Sequence, residues 1–189
     1  MTVLVHHPST GPALGLVELC SIARGVFVCD AMAKRASVEL IRARTVHPGK
    51  YFVLIRGGVD EVSESVKAGV DSGGDALIDH LVLPYPHQEL SDVLDGPRDP
   101  RLDAVGVLET YSIASIIRGA DAALKAAEIS ARSIRLADDL GGKGCFVFFG
   151  QLHDVQEAMS AGAAAVGDGL LAGNEIIANP HPDLIDALG

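Results

Sequence analysis

Tryptophan is absent from this 189-residue chain, and aromatic residues make up only 4% of it. An aromatic-lined ligand pocket therefore finds little material here. Cations are scarce as well. Fifteen Lys and Arg stand against 25 Asp and Glu, a formal net charge of −10. Such a chain is a poor general binder of nucleic acid or of anionic lipid, because phosphate binding needs clustered positive charge; a local basic patch stays open. The three cysteines, Cys20, Cys29 and Cys145, show no C-x-x-C spacing and sit within apolar patterns, so they are expected as reduced, buried thiols. No apolar run approaches the roughly 18 residues of a membrane span. The opening Met1-Thr2-Val3-Leu4-Val5-His6-His7-Pro8 has neither a cationic start nor a long apolar stretch, so no secretory signal is read there and a cytoplasmic location is expected. His6 and His7 are read as part of a polar tail, not as a metal site. What is present is globular: 48% hydrophobic and 21% charged residues, in a length that suits one ordinary domain or two small ones.

An internal repeat decides between these. Ala13-Leu14-Gly15-Leu16-Val17-Glu18 returns as Ala104-Val105-Gly106-Val107-Leu108-Glu109, 91 residues later. The same offset joins Ser21-Ile22-Ala23 to Ser112-Ile113-Ala114, Asp30-Ala31 to Asp121-Ala122, and Lys34 to Lys125. It grows to 93 at Gly49-Lys50 and Gly142-Lys143, and to 94 at Pro86-His87 and Pro180-His181. A period this long is two fused domains, not a solenoid. The reading is a tail over 1–12, a first domain over 13–95, a Gly-, Pro- and charge-rich linker over 96–102, and a second domain over 103–189.

Each copy carries the same order of elements. Leu14 to Cys20 is a short apolar run, a strand buried on both faces. Ser21 is placed to cap a helix over 22–36. From Val38 to Val46 the apolar Val38, Leu40 and Ile41 interleave with Glu39, Arg42 and Arg44, which predicts a strand with one wet face. His47-Pro48-Gly49-Lys50 is a turn, and Tyr51 to Ile55 completes a hairpin. Val59, Val62, Val66 and Val70 fall at helical spacing. A last strand over 76–83 ends at Pro84, and a short tail helix follows over 87–94. In the second copy the strands are expected near 105–110, 129–137, 145–149 and 170–178. This β-α-β-β-α-β order predicts a ferredoxin-like α+β fold, present twice.

The motif A-[LV]-G-x-[VL]-E, then S-I-A, D-A-x-x-K-x-A, a Gly-Lys hairpin loop and a closing Pro-His resembles the pattern of bacterial microcompartment shell proteins. Two unpermuted copies resemble the trimer-forming, double-domain class of that family, over nearly the whole chain. The resemblance implies a homotrimer with pseudo-sixfold symmetry, a central pore, and edge-to-edge tiling with other shell proteins around an enzyme core. It implies small polar or anionic metabolites as the traffic through the pore. It also implies roles for named residues. Lys34 and Lys125 match the lysine at the tile edge. An Arg usual before the family's Pro-His is replaced here by Tyr85 and by Asn179, which bears on edge packing. The pore lining falls to His47, Pro48 and Gly49 in the first copy and to Leu140, Gly141 and Gly142 in the second. Glycine there would let backbone N–H groups face the opening.

His47 occupies the position at which iron–sulfur-bearing members of the class place a cysteine. Three readings stay open. His47 lines the pore as a solvated ring that changes charge around physiological pH; three imidazoles hold a divalent metal; or they serve an iron–sulfur cluster or other redox group. Asp138-Asp139 are the two residues by which the second loop exceeds the first. Gly141-Gly142-Lys143 lacks the spacing of a phosphate-binding loop. The recurrence of Glu18 and Glu109 in register suggests a structural carboxylate in place of acid–base work. No nucleophile–base constellation is found, so no enzyme is expected. The alternative of another class is a regulatory ferredoxin-like module that binds a small ligand.

Overall fold

A computed structural model describes residues 11–97 and 103–187. His6, His7, most of the tail and residues 98–102 of the linker lie outside the described residues. The first copy runs β1 (Ala13–Leu19), α1 (Ile22–Arg35), β2 (Glu39–Val46), β3 (Lys50–Gly57), α2 (Val59–Gly73), a 3-10 turn (Gly74–Ala76), β4 (Leu77–Pro84) and α3 (Gln88–Asp95). The second runs β5 (Ala104–Thr110), α4 (Ile113–Ala126), β6 (Ile129–Leu136), β7 (Gly144–Gly150), α5 (Leu152–Ala165), β8 (Leu171–Ala178) and α6 (Pro182–Ala187). The sheets have the orders β2-β3-β1-β4 and β6-β7-β5-β8. In each, the first strand is central and pairs antiparallel with both neighbours. This is the ferredoxin-like topology that the order of elements predicts.

Local chemistry explains the starts of the first helices. The Ser21 hydroxyl accepts from Arg24 N at 3.3 Å, and the Ser112 hydroxyl from Ser115 N at 3.0 Å. Each satisfies one of the orphan donors of a helix N-terminus. The central strand β1 is buried at every position, as its unbroken apolar run requires. The first core gathers Val17, Val28, Met32, Val53, Val62 and Val66 from β1, β3, α1 and α2. Arg35 on α1 bonds Glu64 on α2, and that guanidinium holds the Glu64 carboxyl below its usual range.

The central glycine of the repeated motif has a packing reason. Gly106 faces Phe148 across the β5–β7 ladder, and a Cβ on Gly106 would collide with that ring. Gly15 faces Ile55 in the same register. The side chain opposite therefore folds over the strand at a place where only a hydrogen stands.

β2 departs from expectation. Its one buried residue is Val46, while Glu39 and Arg42 are half-buried and Leu40 is exposed. The equivalent strand β6 buries Ile129, Ala131 and Ser133 in alternation. The same pattern thus has a dry face in one copy only.

The chain forms two compact units, and their division does not follow the repeat. The described residues up to Thr45, with Tyr51–Tyr85, make the first. Val46–Lys50 joins the described residues from Pro86 onward in the second. The first copy's hairpin tip and its tail helix α3 therefore belong with the second copy.

Candidate functional site

The second unit holds both hairpin tips. In the first tip the His47–Pro48 peptide is cis, Gly49 has φ +102°, and Gly49 N–H donates to Val46 O at 3.0 Å. In the second tip Asp139, Gly141 and Gly142 all have positive φ, and Lys143 N–H donates to Leu140 O at 3.2 Å. Asp138-Asp139 lie in this turn, where the Asp138 carbonyl accepts from Arg135 at 2.7 Å.

Lys50 joins the tips. Its ammonium donates to Gly142 O at 3.0 Å and to Tyr111 O at 3.2 Å. A side chain at Gly142 would meet Lys50 Cε at 2.9 Å and Pro48 Cδ at 3.1 Å. Glycine is required there twice over, by its φ of +86° and by that close approach. The expectation that glycine N–H groups face an opening does not hold at Gly49, whose N–H is spent inside its own turn. The hydrogen bond between the tips is made by the Lys50 ammonium and the Gly142 carbonyl.

The His47 imidazole is 80% exposed, and its Nδ1 lies 3.8 Å from Asp139 Oδ1. That distance is an ion-pair contact when the imidazole is charged and too long for a hydrogen bond. Leu140 is half-buried, and Gly141 is exposed. Among the described residues no three His, Cys, Asp or Glu side chains of one chain converge to hold a metal. A site at His47 would have to draw ligands from several chains. The donors at the tips are imidazole nitrogen and carboxylate oxygen. That set suits a divalent ion better than an iron–sulfur cluster, whose ligands are chiefly thiolates with histidine replacing only some of them.

The cysteines do not change this. Cys145 is half-buried in β7, opposite Glu109. Burial raises its thiol pKa and the Glu109 charge adds to the rise. Burial and Asp30 raise that of Cys29. Cys20 corrects the expectation of three buried thiols. It follows the end of β1, where the strand has left the core, and it is exposed. One thiol in three is therefore expected to react at once with a colorimetric disulfide reagent at neutral pH, and Cys20→Ser removes that fast phase. Three equally fast thiols would contradict the burial of Cys29 and Cys145.

Lys34 and Lys125 both bond the aspartate one turn before them, at 2.6 Å, but the aspartates differ. Asp30 is 58% exposed; Asp121 is 6% exposed. Asp121 also accepts from the backbone N–H of His87 at 2.7 Å. Sequence reasoning passed over Asp121. Its recurrence beside each lysine was a usable signal, but the burial was not visible in it.

The Pro-His pairs are structural in both copies. His87 Nδ1 accepts from Glu89 N, and His181 Nδ1 from Asp183 N, each at 3.3 Å. Each imidazole thus caps the tail helix that follows it. Glu18 is fully buried, and Glu109 pairs with Lys143 at 3.1 Å. No helix among the described residues is long and apolar enough to cross a membrane.

Comparison with known proteins adds a family. The BMC domain model matches residues 13–86 and again 104–180. A bacterial microcompartment shell protein, PduT of Citrobacter freundii, is 36% identical over 174 residues, covering 91% of this chain and 95% of that protein. The carboxysome shell protein CcmK2 of Synechococcus elongatus is 36% identical over 86 residues, 43% of this chain and 84% of its own length. A crystal structure of a microcompartment protein from Desulfitobacterium hafniense superposes with a TM-score of 0.80 at 37% identity, covering 91% of this chain and 97% of that one.

Proposed function

The chain belongs to the BMC domain family as a tandem, pseudohexamer-type shell protein of a bacterial microcompartment, and from that premise we propose a homotrimeric tile with a central pore, free of catalytic duty. The duplication carries this reading. Half of the chain aligns with most of a carboxysome shell protein, so three chains supply six such domains. Cyclic closure satisfies six equivalent positions with three copies. Tiles then meet other shell proteins edge to edge, with Lys34 and Lys125 on exposed helix surfaces suited to that contact.

The pore is assigned to the two hairpin tips. Both are short and glycine-bearing, and they bring His47, Pro48, Gly49, Leu140, Gly141 and Gly142 into one unit, with Gly142 buried against Lys50 and Pro48. Threefold repetition of an exposed imidazole beside a carboxylate makes a polar ring, suited to small polar or anionic solutes once His47 is charged. The same exposed imidazole supports a second reading, a divalent ion shared by three His47 side chains. The relatives lend no support to a ligand-binding regulatory module.

Native mass spectrometry should give three times 19.6 kDa, and the purified tile should assemble into sheets. A stable monomer or dimer at micromolar concentration would overturn the tile. Zinc bound at one ion per trimer and lost in His47→Ala is the result expected of the metal reading; metal-free protein after incubation with zinc ends it.

A further inference from the structure

The turns before the last strands of the two copies differ in length and in one residue. The repeat offset is 93 at Gly69 and Gly162 and 94 at Pro86 and Pro180, so the second copy holds one more residue between these points. In the first copy Gly74-Asp75-Ala76 is a 3-10 turn that runs straight into β4. In the second, Gly167-Asp168-Gly169-Leu170 is an open turn before β8. Leu170 N–H closes it, donating to Gly167 O at 3.0 Å. Asp168 and Gly169 are both exposed. Gly169 has φ +72°, and nothing beyond its chain neighbours lies within 4 Å of the place where a Cβ would stand.

These features favour one reaction. The carboxyl carbon of an aspartate and the backbone nitrogen of the next residue are spaced to close a five-membered ring. A side chain on that next residue obstructs the closure, and glycine has none. A backbone held in a helix cannot turn to bring the two atoms together, whereas an exposed turn can. Asp75 fails on both counts, since Ala76 follows it inside the 3-10 turn. The chain's other Asp-Gly pair, Asp95-Gly96, has its aspartate within helix α3.

We propose that Asp168-Gly169 is a modification site, at which aspartate converts to isoaspartate as the protein ages, and hence a substrate for an enzyme that methylates the isoaspartyl carboxyl. Gly169 N attacks Asp168 Cγ. The N–Cγ bond forms, a carboxyl C–O bond breaks, and the hydroxyl leaves with the amide proton as water. Water then opens the cyclic imide. Addition at Cγ restores aspartate. Addition at the backbone carbonyl carbon leaves the chain running through Cγ, with the α-carboxyl free. No oxidant is needed, and the mass returns to its starting value. The main chain thereby gains one atom in a turn that supports the hairpin tips. Tyr111 N–H donates to Leu170 O at 2.8 Å, and Tyr111 O accepts from Lys50 at 3.2 Å.

The test ages the wild-type protein and Asp168→Glu for several weeks in warm neutral buffer. Glutamate keeps the charge and the turn, but its longer side chain would have to close a less favourable six-membered ring. Trypsin then releases the segment from Gly144 to the end, which holds no Lys or Arg. Two readouts follow. One is labelled methyl accepted by that fragment from S-adenosylmethionine in the presence of an isoaspartyl methyltransferase. The other is cleavage by an endoproteinase that cuts before aspartate and not before isoaspartate. In the wild type, methyl acceptance is expected to rise with age, while cleavage before Asp168 falls and cleavage before Asp75 stays complete. In Asp168→Glu the rise is expected to be lost from that fragment. A wild-type fragment that accepts no more methyl after ageing than before it would overturn the proposal, as would an equal rise in Asp168→Glu.

Discussion

Replacing Gly106 by alanine is expected to lower stability by about 2 kcal/mol, among the larger effects of adding one methyl group to this chain. The Phe148 ring is fully buried and stacks on Phe146 at 5.1 Å. A Cβ on Gly106 would lie 2.6 Å from Phe148 Cε2 and nearer still to Cζ, well inside van der Waals contact. The ring cannot swing away without disturbing Phe146, and overpacked cores cost roughly 1–3 kcal/mol. The entropy gained by replacing glycine returns only about 0.5–1 kcal/mol of that. For a chain of this size the melting temperature should fall by about 4–8 °C. Gly15→Ala is expected to cost less. Its Cβ would meet the branched tips of Val62 and Val66 at 2.7 Å and Ile55 at 2.9 Å, which can turn or shift. Trimming the ring supplies the internal check: in the Phe148→Leu background, Gly106→Ala should cost clearly less, a coupling between neighbours. A drop below about 2 °C for Gly106→Ala alone would mean that the ring does not lie over the glycine.

Asp121→Ala is expected to cost about 3 kcal/mol, and Asp121→Asn about 1. The alanine removes the acceptor of a backbone N–H and of the Lys125 ammonium at a site almost closed to water. It leaves the His87 N–H without its carboxylate, and an unsatisfied buried donor costs roughly 1–3 kcal/mol before the lost charge-assisted bond is counted. Asparagine keeps an oxygen for His87 and loses only the ionic part. Asp30→Ala, in the same motif of the first copy, should change the stability of the isolated chain by less than about 0.5 kcal/mol, because its ion pair is exposed. Urea unfolding at several protein concentrations, which separates folding from assembly, measures all three. Equal costs at Asp30 and Asp121 would mean that the tail helix does not distinguish them.

Much of this molecule can be read from its residues. The same apolar spacing occurs twice because the same sheet and the same helix faces are buried twice. Ser21 and Ser112 announce helix starts because a side-chain oxygen there satisfies a backbone donor. The Gly-Lys loops are legible because positive φ and close backbone approach leave few residue types to choose from. Reading failed at Leu40 and at Cys20, which are apolar by type and exposed in the chain. It was silent on Lys50, which ties the two tips through carbonyls that every residue type carries alike.

The sequence by itself determined the duplication, the topology of each copy and the places where its hairpins turn. These follow from short-range rules of periodicity, capping and backbone freedom. Only the tertiary structure decided that Asp121 is buried while Asp30 is exposed, although both stand in the same D-A-x-x-K motif. The difference comes from α3, a segment about 30 residues earlier in the chain, which packs on α4 and brings the His87 N–H to Asp121. Burial depends on what arrives from elsewhere, and no local pattern encodes that arrival.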